Sequence, residues 1–112
     1  MIVKARRMTV TIASGGTTPT DPIAFSDSTL LSFISPAALT SITMTFTTAE
    51  SADGTYVPVY DSAGNQVSVT ITTSRSYSIT GSEADALAPL AFIKPVLNAA
   101  EGAERTFYFW KK

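Results

Sequence analysis

Apolar and hydroxyl-bearing residues alternate with a period of two along most of this chain. Met8, Val10 and Ile12 alternate with Thr9 and Thr11, the pattern of a strand with one buried face. Residues 41–48 repeat it more cleanly, with Ile42, Met44 and Phe46 directed inward and Ser or Thr between them. Residues 66–72 do so again through Val67, Val69 and Ile71. Further strands are predicted around Leu31 and Phe33, over 55–60, over 75–79, and over 91–97 and 105–111, the last two joined as a closing hairpin. The predicted core is Ile42, Met44, Phe46, Val67, Val69, Ile71, Phe107 and Phe109.

Breaks between these runs carry turn chemistry. Residues 14–22 hold two glycines and two prolines and almost nothing to bury, which predicts a flexible loop. Pro36 ends the strand that spans 26–35. Asp53-Gly54 is read as a tight turn taking positive φ, and Asp61 to Asn65 as a second turn, so that two hairpins in succession imply a meander. Pro58 lacks a donor and confines its strand to an edge or a bulge. Ser82 to Leu87 has a capping residue and acidic first-turn positions, enough for one short helical turn before Pro89. The expected fold is all-β: an antiparallel β-sandwich or jelly-roll-like barrel of about eight short strands in a single domain, 1–112.

Composition narrows the function. Thr and Ser make up about a quarter of the chain, as suits strands with a solvated face. Only 15% of residues are charged and the formal net charge is −1, which argues against both a disordered polyanion and a broad basic surface for nucleic acid or anionic membranes. Lys4, Arg6 and Arg7 are read as a solvated arm, and no apolar run suits a signal peptide or a membrane span. Synthesis in the cytoplasm is the expectation. Gly15-Gly16 lacks the spacing and the lysine of a phosphate loop, so nucleotide binding is not expected.

The chain has no His and no Cys, which removes the commonest general base, the commonest thiol nucleophile, disulfides and the usual zinc ligands. It is therefore expected not to be an enzyme and to need no cofactor. Asp53 and Asp61, with Glu50 near, could be imagined as a carboxylate pair or a calcium site; Asp53 and Asp61 are read instead as turn residues whose side chains satisfy backbone donors, with no metal.

One strand departs from simple alternation. In 105–111, Phe107 and Phe109 form one apolar set, and Tyr108 and Trp110 form a second on the opposite face. One set faces the core and the other needs cover: from the same domain, from a neighbouring subunit, or from a sugar stacked on the rings. Tyr108 and Trp110, with Tyr56 and Tyr60, are the candidate interface residues.

The segment 44–69, with Phe46-Thr47, the run Ser51-Ala52-Asp53-Gly54-Thr55-Tyr56-Val57-Pro58-Val59-Tyr60-Asp61 and Gly64-Asn65, resembles a group of short proteins encoded in tailed-phage structural gene clusters. The resemblance continues loosely through Arg75, the corner at 87–89 and the last strands, about two-thirds of the chain. It implies a β-sandwich virion protein of the head-decoration, cement or fibre-base kind, with no catalytic residues. Residues 1–25 have no counterpart in it. The expected partners are then the major capsid protein or other virion proteins and further copies of the chain, in a virion made in the host bacterial cytoplasm. A carbohydrate-binding module stacking sugars on Tyr56, Tyr60, Tyr108 or Trp110 is the rival expectation.

Overall fold

Strands with one apolar face must bury it, and here two sets bury it against each other. The computed structural model describes residues 6–25 and 31–112. One sheet holds β1 (Arg6–Ile12), β9 (Arg105–Lys111), β3 (Leu31–Ile34) and β7 (Ser76–Ile79), in the order β1-β9-β3-β7. The other has β2 (Ile23–Ala24), β8 (Phe92–Leu97), β4 (Thr43–Ala49) and β5 (Val57–Pro58) in that order, and β6 (Ser68–Thr70) also pairs with β4. Every pairing is antiparallel. A single short helix among the described residues, α1 (Gly81–Leu87), follows β7. The chain is an all-β sandwich.

Phe33, Phe107 and Phe109 project from the first sheet and are fully buried. The Phe33 ring stacks on Phe109 with centroids 5.0 Å apart and meets Phe107 edge-on at 6.1 Å. Met44, Phe46, Ile93 and Leu97 meet them from the second sheet. Of the core expected from the pattern, Met44, Phe46, Val67, Ile71, Phe107 and Phe109 are buried and Val69 packs against them half-buried. Ile42 is not in the core: it is 64% exposed. The ladder starts only at Thr43, and the chain bends at Ile42, whose N–H donates to Asn98 Oδ1 at 2.8 Å, so the alternation does not carry back to it.

Four other expectations are corrected. β8 and β9 do not form a hairpin, because β8 pairs with β4 and β2 while β9 pairs with β1 and β3; the connection 98–104 crosses from one sheet to the other. Nor do β4, β5 and β6 form a meander. Val57–Pro58 lies opposite Thr47–Thr48 and Ser68–Thr70 opposite Thr43–Thr45, so both run along one edge of β4 as an interrupted strand. The residues between are a small excursion closed by the Tyr60–Gln66 bridge, and donor-less Pro58 sits at that edge as its chemistry requires. Gly54 does not take positive φ. It is needed for close approach, since a Cβ there would fall 2.9 Å from Ser51 Oγ; the positive angle belongs to Gly64, at +85°. In α1 the capping position is Thr80 rather than Ser82. Of the strand expected over 26–35, residues 26–30 lie outside the described residues, as does Lys4 of the basic arm.

The polar loop 14–22 lies along the second sheet's edge and the crossing segment. Gly15 N–H donates to Glu101 O at 2.7 Å, Glu101 N–H to Gly16 O at 3.1 Å and Leu97 N–H to Thr17 O at 2.8 Å. Thr18 Oγ1 donates to Pro95 O at 3.2 Å, and Pro19 is buried. These bonds occupy backbone groups of β8 and of the crossing that β2 is too short to reach.

Glu101 is the centre of that crossing. Its side chain is buried and accepts hydrogen bonds from Thr40 N–H at 2.8 Å, Ser41 N–H at 2.9 Å, Ser41 Oγ at 2.7 Å and Arg105 Nε at 2.8 Å. Burial pushes the carboxyl pKa up, but these donors outweigh it and hold it at about 2. At the other end of β9, Lys111 Nζ donates to Ala24 O, a second tie between the sheets.

Phe46→Ala should cost about 3–5 kcal/mol in chemical denaturation, as truncation of a buried Phe does, whereas Ile42→Thr should stay within about 0.5 kcal/mol. Equal losses from the two would place Ile42 back in the core. Because the Glu101 carboxyl is held below its unfolded value, its contribution is complete above about pH 4.5 and is lost as pH falls toward about 2. Glu101→Gln should lower stability at pH 7 by about 3 kcal/mol, by stranding Arg105 and the Ser41 donors, and should flatten that acid limb. Denaturation midpoints between pH 2 and 7 for both proteins measure the difference.

Candidate functional site

β9 is flanked on both sides, by β1 and β3, and its core-facing Phe107 and Phe109 hold it rigidly. The alternate residues therefore stand on the outer face of the first sheet, in register with their neighbours. Two rows cross that face. Arg7, Trp110, Ser32 and Ser78 form one, from β1 to β7; Thr9, Tyr108, Ile34 and Ser76 form the next. Tyr108 and Ile34 are side by side and each is 39% exposed, an apolar pair facing solvent. The Arg7 guanidinium lies 5.1 Å from the Tyr108 ring centroid, a cation–π contact that links the rows.

An open groove of about 320 Å³ lies at the Trp110 end of the face. Trp110, Ser32, Ser78, Thr80 and Lys112 line it above the buried Leu31 and Ile79.

Tyr56 and Tyr60 are on the other sheet's side. Lys94 Nζ sits 4.5 Å from the Tyr56 ring, whose hydroxyl donates to Ala52 O at 2.7 Å. Burial first, and then the charge of Asp53, push the Tyr56 phenol pKa above its ordinary value. Tyr60 is 56% exposed beside the Tyr60–Gln66 bridge. The four aromatics thus fall into two separate pairs. Ile34, Ser32 and Ser78, which complete the face around Tyr108 and Trp110, were not singled out from sequence. Their signal was present in the Leu31, Phe33 spacing, which turns Ser32 and Ile34 outward.

Of the turn aspartates, Asp61 has its carboxylate bonded to the turn's backbone. Asp61 Oδ1 accepts from Ala63 N–H and Asn65 N–H, both at 2.9 Å. Among the described residues no three His, Cys, Asp or Glu side chains converge on a point that would suit a metal. What the first sheet's face offers chemically is ring stacking, hydroxyl hydrogen bonding and positive charge.

No protein-family model matches the sequence, and no curated protein matches it. Solved structures are similar to it at low identity. The SPBc2 prophage-derived protein YomS is 12% identical with a TM-score of 0.53, over 99% of this chain and 96% of that one. The Yersinia pseudotuberculosis-derived mitogen is 10% identical with a TM-score of 0.47, over 99% and 86%. A disulfide-linked pilus protein of Bacillus endospore appendages is 14% identical with a TM-score of 0.38, over 97% and 87%. The first of these likenesses shows a shared fold with a prophage-derived protein. No helix among the described residues is long and apolar enough to cross a membrane.

Asp61→Ala should cost about 1–2 kcal/mol, the worth of two backbone hydrogen bonds, and added calcium should leave the melting temperature of the parent protein unchanged. A calcium-dependent rise that Asp61→Ala or Asp53→Ala abolishes would show an ion site instead of turns.

Proposed function

We propose that this chain is a non-enzymatic structural component of a tailed-phage particle, of the decoration, cement or fibre-base kind, that docks on the capsid or neck surface through the outer face of its first sheet. The observation that carries this reading is the exposed Tyr108–Ile34 pair. A monomer gains nothing by exposing two large apolar side chains on a rigid central strand and its neighbour, whereas an interface core is built of such groups. The shared fold with a prophage-derived protein and the sequence resemblance to phage structural proteins support the same reading. The mechanism is linkage: a subunit that binds only the assembled lattice, in many copies and with further copies of itself, stabilises that lattice by mass action. Neither DNA nor a membrane has a part in this reading.

Tyr108→Glu puts a charge into that interface while Phe107 and Phe109 still fill the core. It should weaken self-association in sedimentation velocity and binding to purified particles by tenfold or more, with the far-ultraviolet circular dichroism unchanged. Association and particle binding equal to the parent protein's would sink this face as the docking surface. Mass spectrometry of purified particles should find the protein there at fixed copy number.

A further inference from the structure

The row Arg7–Trp110–Ser32–Ser78 is a second, different row on the same sheet face, and the groove lies along its part from Trp110 to Ser78. From β1 to β7 it presents a cation, an indole, a hydroxyl and a hydroxyl. Adjacent strands are about 4.8 Å apart, so the indole and the two hydroxyls span about 10 Å. Lys112, two residues beyond Trp110, gives the lining its positive charge. Leu31 and Ile79 border the groove with their backbone, their side chains turned into the core and each only 3% exposed.

A pyranose ring fits this order of chemistry. Its C–H face is apolar and stacks on an indole, while its rim of hydroxyls exchanges hydrogen bonds with Ser and Thr side chains. The groove is at the lower end of the roughly 300–1,000 Å³ usual for small-molecule sites, so it holds a short stretch of glycan rather than enclosing a long one. The charges select among sugars. Lys112 stands at the Trp110 end of the groove, the Arg7 guanidinium being drawn over the Tyr108 ring instead, whereas Glu83 lines the adjoining cavity beyond Ser78, Ile79 and Thr80. An anionic substituent is therefore attracted at one end and repelled at the other, which orients the ligand. We infer that the Trp110 groove binds a saccharide bearing an anionic group, carboxylate or phosphate, stacked on the indole with its charge toward Lys112. The groove shares its sheet face with the proposed docking surface but is lined by a different row from the Tyr108–Ile34 pair on which that reading rests.

Trp110 is the only tryptophan in the chain, so its fluorescence reports on the groove directly. The intact protein should be titrated with a glucuronate-containing disaccharide, with glucose 1-phosphate, with cellobiose as the neutral control and with uridine monophosphate as a stacking anion that is not a saccharide probe. Saturable change with either anionic sugar is expected; which of the two binds tighter tells a carboxylate glycan from a phosphorylated one. Lys112→Gln should weaken the anionic sugar about 5-fold and leave cellobiose unaffected, the scale of one exposed charge pair. Trp110→Ala, followed by calorimetry and with folding checked by circular dichroism, should abolish binding, while Tyr108→Glu should leave the groove saturable. No saturable response to either anionic sugar up to about 10 mM, equal affinity for cellobiose, tighter binding of the nucleotide, or indifference to Lys112→Gln would each overturn the assignment.

Discussion

A carboxylate buried at the point where the chain changes sheets holds this sandwich in register. Glu101 lies in the connection from β8 to β9, and its two oxygens take donors from the entry to β4 and from Arg105 at the start of β9. Its own backbone bonds Gly15 and Gly16, which lead away from β1. Strands of both sheets and the long polar loop are thereby tied at one residue. A buried charge with fewer donors would be costly, and here four donors converge on it, leaving no unsatisfied buried side-chain polar atom among the described residues. Asn98 assists from the same connection: its Oδ1 accepts from Ile42 and Thr43 N–H and so starts the β4 ladder.

This explains which parts of the fold were legible in the sequence. Alternation is a local property, and wherever a strand is long and one face is buried, as in β1, β4 and β9, the period-two pattern marks it and its inward residues. Partnership is not local. β8 and β9 are consecutive strands with a polar link, which is also how a hairpin reads; only Glu101, a charged residue among others in a loop, distinguishes a crossing, and its burial is a tertiary fact. The interrupted edge of β5 and β6 was hidden for a related reason. Two turns and three apolar runs suggest a meander, whereas Pro58 breaks the donor row and lets β6 return to β4 instead.

The candidate site shows the same division. That β9 is apolar on both faces was plain from Tyr108 and Trp110, and so was the need for cover. Tyr56 and Tyr60 share the residue type, but they sit on the side of the other sheet, where Lys94 and Ala52 already engage Tyr56. Side chains such as Ser32, Ile34 and Ser78 acquire meaning only through register, because their roles come from which residue of the next strand stands opposite.

The two ends of β9 therefore carry different tasks on one rigid element. Arg105 anchors its start to Glu101, the phenylalanines hold its middle in the core, and Tyr108 and Trp110 stand on the outer face. Side chains mounted on a central strand between two neighbours lose little further freedom when they bind, in contrast to side chains carried on loops, so most of the contact energy is available for recognition. The same register sets two chemically different rows side by side on this one face, Tyr108 and Ile34 in one, and Trp110 with the Ser32 and Ser78 hydroxyls in the other, so the proposed docking surface and the proposed sugar site draw on different side chains of one strand.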